Sequence, residues 1–211
     1  MWNWIAESSE PLNVLLNGAM LVVWALYFQL LLNGYRRSRS SKILINRANG
    51  HSLDTKCVVT NMSTEAVYIE GIIVETFSKN DEESLTCSLT DRGGSINPYE
   101  TSEEEDGYQG PLGSGKSVAL GSYRKIIEHA LRQGEWDISH LHRLTLTVVA
   151  TYGPEDRPVA AQREYHLVER AGRHVLCSDT VTTRQIRSVS ERRKIEQQIQ
   201  EEVGAESTTG E

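Results

Sequence analysis

The hydrophobic and polar positions divide the chain into an unbroken apolar run, a long stretch of alternation, and a polar tail rich in helix formers. The apolar run covers residues 12–34 and contains no ionisable side chain. A helix of this length, rising about 1.5 Å per residue, crosses the ~30 Å hydrocarbon core of a bilayer. The pattern predicts a single transmembrane helix at residues 12–34, preceded by a short N-terminus of residues 1–11.

Between Ile43 and Val168 the dominant period of the apolar side chains is two, which is typical of half-buried strands. The clearest stretch is residues 144–152, where leucine, valine, alanine and tyrosine at even positions alternate mainly with threonine at odd positions. Further strands are predicted at residues 42–47, 53–61, 67–77, 85–90 and 159–168, with a bulge at Gly71.

About seven short strands separated by turn signals predict a mainly β fold, an antiparallel immunoglobulin-like β-sandwich over residues 43–170. In general form the pattern resembles immunoglobulin-like and fibronectin-type sandwiches, although the Cys and Trp spacing of antibody domains is missing. A helix at about residues 122–133 interrupts the strands, because apolar side chains recur there at i, i+3 and i+4. A C-terminal helix at residues 179–203 and a disordered tail at residues 204–211 follow.

The charge distribution argues against one broad class of function. The formal net charge is -7 and the isoelectric point is about 5.5, whereas a general nucleic-acid binder needs a clustered basic surface. We therefore expect no nucleic-acid partner. The acidic charge is concentrated at residues 100–106, within a predicted flexible loop of about residues 92–115.

A basic segment follows the apolar run directly. Arg36, Arg37, Arg39 and Lys42 lie in a predicted juxtamembrane linker of residues 35–42. Because cationic flanks stay on the cytoplasmic side, we expect a non-cytoplasmic N-terminus and a cytoplasmic domain at the inner (plasma) membrane. The same four side chains are candidate contacts for anionic membrane lipid.

The apolar run contains polar side chains on one arc. Asn13, Asn17 and Trp24 fall close together at 100° per residue. Amide groups facing lipid are costly, so this arc is a candidate packing surface for another helix, either in a homo-oligomer or in a membrane partner. The alternative is that both Asn side chains lie near the headgroups and are hydrated there.

The stretch "GPLGSGKS" matches a phosphate-binding loop, with Gly110, Gly115, Lys116 and Ser117 at the required positions. The surrounding sequence does not match such a loop, because a working phosphate loop follows a buried strand and precedes a helix. Here an acidic segment precedes the motif and a strand-like "SVALG" follows it. We interpret the motif as a glycine-rich turn entering a strand, and a nucleotide-binding enzyme as the alternative.

Other catalytic or metal chemistry has little support in the sequence. His140 and His142 would share one side of a strand, but no third strong ligand lies nearby. The three cysteines lack C-x-x-C spacing, which favours free thiols in a reducing compartment over disulfides or zinc. No cofactor, metal or catalytic residue is therefore predicted.

These observations favour a non-enzymatic, membrane-anchored interaction or scaffold module. Its cytoplasmic sandwich would bind an unidentified membrane or cytoplasmic protein, as an accessory subunit of a membrane complex. The acidic loop and the C-terminal helix would supply further contacts. Two alternatives remain: a phosphate-loop enzyme, and an oligomerising membrane effector or pore in which the sandwich acts as a sensor.

Overall fold

The computed structural model describes residues 9–38, 40–48, 50–79, 83–89, 109–132, 134, 136–155, 157–170, 172–178 and 180–197. The chain divides into two compact units, residues 1–40 and residues 41–211. The predicted N-terminus of residues 1–11 lies mostly outside the described residues, as do most of the acidic loop and the tail at residues 204–211.

In its described part the first unit contains one helix, α1, which spans Ser9–Ser38. Its apolar portion, Leu12–Tyr35, is 24 residues long and has none of its side chains buried. The helix is therefore long and apolar enough to cross a membrane. It continues past residue 34 into the predicted linker, since the arginines and serine that follow are compatible with helical backbone.

The second unit, which we call the β domain, contains antiparallel strands and two further α-helices in its described part. The strands are β1 Ile43–Arg47, β2 Lys56–Asn61, β3 Val67–Ser78, β4 Ser84–Ser88, β5 Gly110–Leu112, β6 Ser117–Ser122, β7 Leu141–Tyr152, β8 Val159–Arg170, β9 Arg173–Cys177 and β10 Arg184–Ile186. The helices are α2 Tyr123–Arg132 and α3, residues 189–197. The predicted mainly β, antiparallel class is confirmed.

The strands form two sheets that share one hydrophobic core. In the described residues, the smaller sheet has the order β1-β2-β6, and the larger has the order β10-β8-β7-β3-β4, with β5 beside β3 and β9 beside β8. Side chains from both sheets meet in a single buried cluster that includes Ile45, Val59, Val74 and Leu146. The predicted bulge in β3 lies between Ile69 and Gly71, where the register to β7 shifts.

Strand β7 is more deeply buried than its alternating sequence predicts. Its core-facing positions, such as Leu146, are fully buried, but Thr145, Thr147 and Val149 on the opposite face are also buried. The expectation of a half-buried strand was therefore wrong for this stretch. A second apolar cluster covers the outer face of the larger sheet, and it consists of Ile73, Val149, Ala160, Ile186 and Ile195.

Helix α2 closes one side of the two-sheet core. It lies within the residues 122–133 predicted for it and contacts β3, β4 and β6. The hydroxyl of Ser122 accepts a hydrogen bond from the amide of Lys125 at 3.3 Å, which satisfies a free donor of the first turn. Apolar side chains at helical spacing, from Tyr123 to Leu131, are buried against the core.

Side chains close the opposite side of the core, along the edge of β1 that faces away from β2. The amide of Ile43 donates to the Gln185 side chain at 3.1 Å, and the Gln185 amide donates back to the Ile43 carbonyl at 2.6 Å. The Ile45 amide donates to the Thr183 hydroxyl at 2.9 Å. The Ile45 carbonyl accepts from Arg163 at 2.6 Å. These bonds, which we call the side-chain seam, satisfy the edge of β1 without strand pairing.

Three predicted boundaries differ from the structure. The β domain continues past residue 170, because β9 and β10 both pair with β8, along the edge that faces away from β7. The C-terminal helix begins at residue 189, not 179, because the β-branched residues before it favour extended backbone. Residues 110–115, predicted as the end of the flexible loop, form β5 and a tight turn instead.

Helix α3 packs on its own domain through Ile195, which is 9% exposed within the second cluster. Arg192 of this helix forms an ion pair of 2.6 Å with Glu155. Partial burial raises the pKa of Glu155, but hydrogen bonds from Arg192 and Ser41 outweigh it and leave the pKa below its ordinary value. Because the folded-state pKa is lowered, this contact stabilises the fold above the unfolded pKa and is lost as the pH falls through the folded pKa.

We predict that Ile195→Ala lowers the free energy of unfolding by about 2 kcal/mol, since it removes the apolar contact of α3 with the larger sheet. The neighbouring Lys194 is exposed, so Lys194→Ala should change stability by less than about 0.5 kcal/mol. Urea unfolding of the full chain in detergent micelles measures both. Equal stability of the two variants would contradict the docking of α3.

Candidate functional site

The predicted phosphate-loop residues lie at the end of the β domain where the chain enters it. We call this the near end, and it consists of Ser41, Lys42, residues 61–63 and residues 113–116. At this end β1 begins, β2 ends, β5 ends and β6 begins. Because adjacent strands run antiparallel, their turns converge here.

Hydrogen bonds from backbone amides and a serine hydroxyl fix the segments of the near end to one another. The amide of Met62 donates to the carbonyl of Lys42 at 2.8 Å. The amide of Lys42 donates to the hydroxyl of Ser63 at 2.9 Å. The hydroxyl of Ser114 donates to the carbonyl of Ser63 at 2.6 Å. Three separate parts of the sequence are therefore held in one rigid cluster.

Asn61 is the centre of this cluster. Its side chain is fully buried, and its amide group donates to the carbonyls of Glu65 and Leu112, each at 2.9 Å. Its side-chain oxygen accepts from the amide of Ser63 at 2.8 Å. An asparagine supplies two donors and two acceptor lone pairs on one short side chain, and few other residues could satisfy these turns together.

The turn from Gly113 to Lys116 is hydrogen-bonded to the end of β2. The Gly115 amide donates to the carbonyl of Asn61 at 2.8 Å, and the Lys116 amide donates to the carbonyl of Gly113 at 3.1 Å. Gly115 has a φ of 69°, a left-handed conformation that favours glycine. The Lys116 carbonyl accepts from the Asn61 amide at 3.0 Å, which starts the pairing of β6 with β2.

The four motif residues therefore occupy a strand, a turn and a second strand. Gly110 pairs with Ile69 in the larger sheet, and Ser117 begins β6 with its hydroxyl 2.8 Å from that of Thr60. A phosphate loop holds its anion with free backbone amides at a helix N-terminus. Here the amides of Gly115 and Lys116 donate to protein carbonyls, and a strand follows. What the turn presents to solvent is the exposed side chain of Lys116.

The helix-packing candidates lie on α1. Asn13, Asn17 and Trp24 are exposed within this unit, and the ring of Trp24 makes an edge contact with Tyr27 at a centroid distance of 6.4 Å. Their role in packing stays a prediction.

The four cations of the predicted linker fall in different regions. Arg36 and Arg37 lie in the last turns of α1, where the side chains are outside the described residues, and Arg39 is itself outside them. Lys42 is exposed at the near end of the β domain. A lipid or orienting role for this set stays a prediction.

The histidine candidates lie at the opposite end of the β domain. His140 ends a 3₁₀ helix, Ile138–His140, which Asp137 caps by accepting a hydrogen bond from the Ile138 amide at 2.7 Å. His142 lies in β7, and its ring is 5.5 Å from that of His166. Within the described parts of the chain, no group of three His, Cys, Asp or Glu side chains is placed to hold a metal ion.

The sequence patterns did not identify a polar cluster in the core. The hydroxyl of Tyr123 donates to that of Tyr165 at 2.7 Å, and the guanidinium of Arg163 lies 5.6 Å from the Tyr165 ring. Burial raises the pKa of the adjacent Cys57 thiol to about 12, so this thiol stays protonated near neutral pH. The cluster therefore offers hydrogen bonds within the core and no activated nucleophile. Only the aromatic spacing across α2 and β8 could have suggested it.

Comparisons with known proteins add no relationship, because no protein-family model matches the chain and no curated protein matches it significantly. Function is therefore inferred from α1 and from the geometry of the near end. Within the β domain, the near end is where predicted site residues lie close together.

We predict that Asn61→Ala lowers the free energy of unfolding by about 3 kcal/mol, because it removes three hydrogen bonds and leaves buried backbone groups without partners. Lys116→Ala, on the same turn, is the control and should cost less than about 0.5 kcal/mol because its side chain is exposed. Chemical unfolding of the two full-length variants makes the comparison. A small loss for Asn61→Ala would show that the turns hold together without it.

Proposed function

We propose that the protein is a non-enzymatic, single-pass membrane-anchored interaction or scaffold module whose β domain binds a protein partner, as an accessory subunit of a membrane complex. The observation that carries this proposal is the exposure of the whole apolar span Leu12–Tyr35. An apolar surface of this length is costly in water, and a bilayer removes the cost. The two-sheet β domain then stands outside the bilayer, and an immunoglobulin-like sandwich is the form we propose for it.

The orientation follows from the charges beside the span. Arg36, Arg37, Arg39 and Lys42 come after it, whereas residues 1–11 contain no lysine or arginine. The positive-inside rule then gives an outer N-terminus and a cytoplasmic β domain at the inner (plasma) membrane. The three free cysteines support this orientation, since free thiols persist in the reducing cytosol.

Binding, not catalysis, is the function that the near end supports best. Its amides at Gly115 and Lys116 are engaged by protein carbonyls, so a phosphate group gains little there beyond the charge of one lysine. Confinement to a membrane raises the effective concentration of a binding surface without any new contact. The arc of Asn13, Asn17 and Trp24 would pack on a second copy of α1 or on the membrane helix of the partner.

We predict that the full chain stays in the pellet when membranes are washed with alkaline carbonate, because α1 spans the bilayer. Replacing Val22 and Leu26 with Lys should release it, since two charges at the centre of a membrane helix strongly oppose insertion. Replacing Asn13 and Asn17 with Leu is the matched control and should leave the chain in the pellet. Release of the unmodified chain by carbonate would overturn the proposed anchor.

We also predict that ATP with magnesium leaves the thermal unfolding midpoint of the full chain unchanged. A ligand that binds the folded state raises stability in proportion to the logarithm of its concentration over its dissociation constant. Thermal unfolding with and without millimolar nucleotide tests this expectation. A rise in the midpoint that disappears in Lys116→Ala would favour the nucleotide-binding alternative.

A further inference from the structure

The backbones of three exposed residues form a row across the near end. The smaller sheet has the order β1-β2-β6, and Lys42, Met62 and Lys116 lie just outside the corresponding ends of these strands. The Met62 amide bonds to the Lys42 carbonyl, and the neighbouring Asn61 amide bonds to the Lys116 carbonyl. Since adjacent strands are about 4.8 Å apart, the two lysines flank Met62 with about 10 Å between their backbones.

We propose that this row is a lipid-binding surface, in which Lys42 and Lys116 contact anionic headgroups and Met62 enters the interface between headgroups and acyl chains. This inference rests on the proposed membrane anchor. It assigns a role to the "GSGK" turn, which is to hold Lys116 at the end of β6.

The composition of the row fits an interfacial contact. Met62 is 53% exposed, and an exposed flexible thioether costs little when it moves from water into the interface. A lysine on each side supplies charges that attract anionic lipid, and this attraction acts only within about a Debye length of the surface. Two lysines near an exposed apolar side chain suit contact with an anionic membrane surface.

The carboxylates at the near end oppose this attraction only in part. Glu155 forms an ion pair with Arg192 at 2.6 Å, which neutralises its charge. Glu65 is exposed on the turn after β2, while its backbone carbonyl is bonded to Asn61. The row itself contains two cations and no carboxylate, so its outward charge is positive.

The covalent chain keeps the near end within reach of a bilayer. In the proposed anchored state Tyr35 lies at headgroup level, and the six residue steps from there to Ser41 span about 20 Å at most. Lys42 is the next residue, and the Met62 amide bonds to its carbonyl. The near end is therefore the part of the β domain that the chain delivers first to the membrane surface.

Lipid is a better fit than a free phosphate or nucleotide for the same cations. A bound phosphate would need several donors converging on one point, but the Gly115 and Lys116 amides already donate to protein carbonyls. Two separated lysines near an exposed apolar side chain instead match a plane of headgroups.

The test places an environment-sensitive fluorophore on the row. The full chain carrying Cys177→Ser and Met62→Cys is labelled with a nitrobenzoxadiazole dye and reconstituted into phosphatidylcholine vesicles, with or without phosphatidylserine and headgroup nitroxides. Cys57 and Cys87 are buried and should not react. Labelling at Lys79→Cys, an exposed position after β3 at the opposite end, is the control.

We expect the dye at position 62 to shift to the blue and to be quenched in phosphatidylserine vesicles, while the dye at position 79 is not. Lys116→Glu should lower the ratio of β domain in contact with the membrane surface to β domain away from it about fivefold or more. Lys56→Glu, at the other end of β2, is the charge-matched control and should not change it. Neither variant alters the residues that set the orientation of α1.

Equal signals at positions 62 and 79, in a chain that resists carbonate extraction, would overturn the lipid-binding surface and leave the anchor standing. Equal quenching with and without phosphatidylserine, or an unchanged ratio in Lys116→Glu, would overturn the role of the lysines. Extraction of the chain by carbonate would overturn the anchor and this inference with it.

Discussion

Every backbone amide and carbonyl removed from water needs a hydrogen-bond partner, and this constraint determines how the β domain is closed. Where strands are adjacent, the ladders satisfy it. At the free edge of β1 there is no neighbouring strand, so Thr183, Gln185 and Arg163 supply the missing partners. At the turns of the near end Asn61 does the same. Without these side chains, the two sheets could not enclose a dry core at an acceptable cost.

The sequence predicts an element well when its apolar residues repeat at regular spacing over a long stretch. Strands β3 and β7 and helix α2 each carry such a pattern, and their core faces are buried as the pattern requires. Strand β5 could not be predicted, because Gly110 and Pro111 disfavour strands locally and only pairing with β3 makes them extended. The burial of Val149 depends on the outer cluster and α3, which no local pattern reveals.

The sequence predicted some of the residues of the candidate site but not how they are arranged. The motif at residues 110–117 drew attention to Lys116, and its context indicated a turn entering a strand. The sequence did not indicate the role of Asn61, since a single asparagine at the end of a strand is common in any sequence. Its bond to the carbonyl of Leu112 links residues 51 positions apart, and only the fold brings them together.

The side-chain seam also determines how the β domain bears mechanical load. The chain enters at Ser41 and continues directly into β1, which is paired with β2 through five residues, from Ile43 opposite Asn61 to Arg47 opposite Cys57. A pull between this point and the far end of the β domain acts along the strand axis. The interstrand bonds then resist together in shear, and those from Thr183 and Gln185 share the force, so the domain yields abruptly instead of peeling apart one bond at a time.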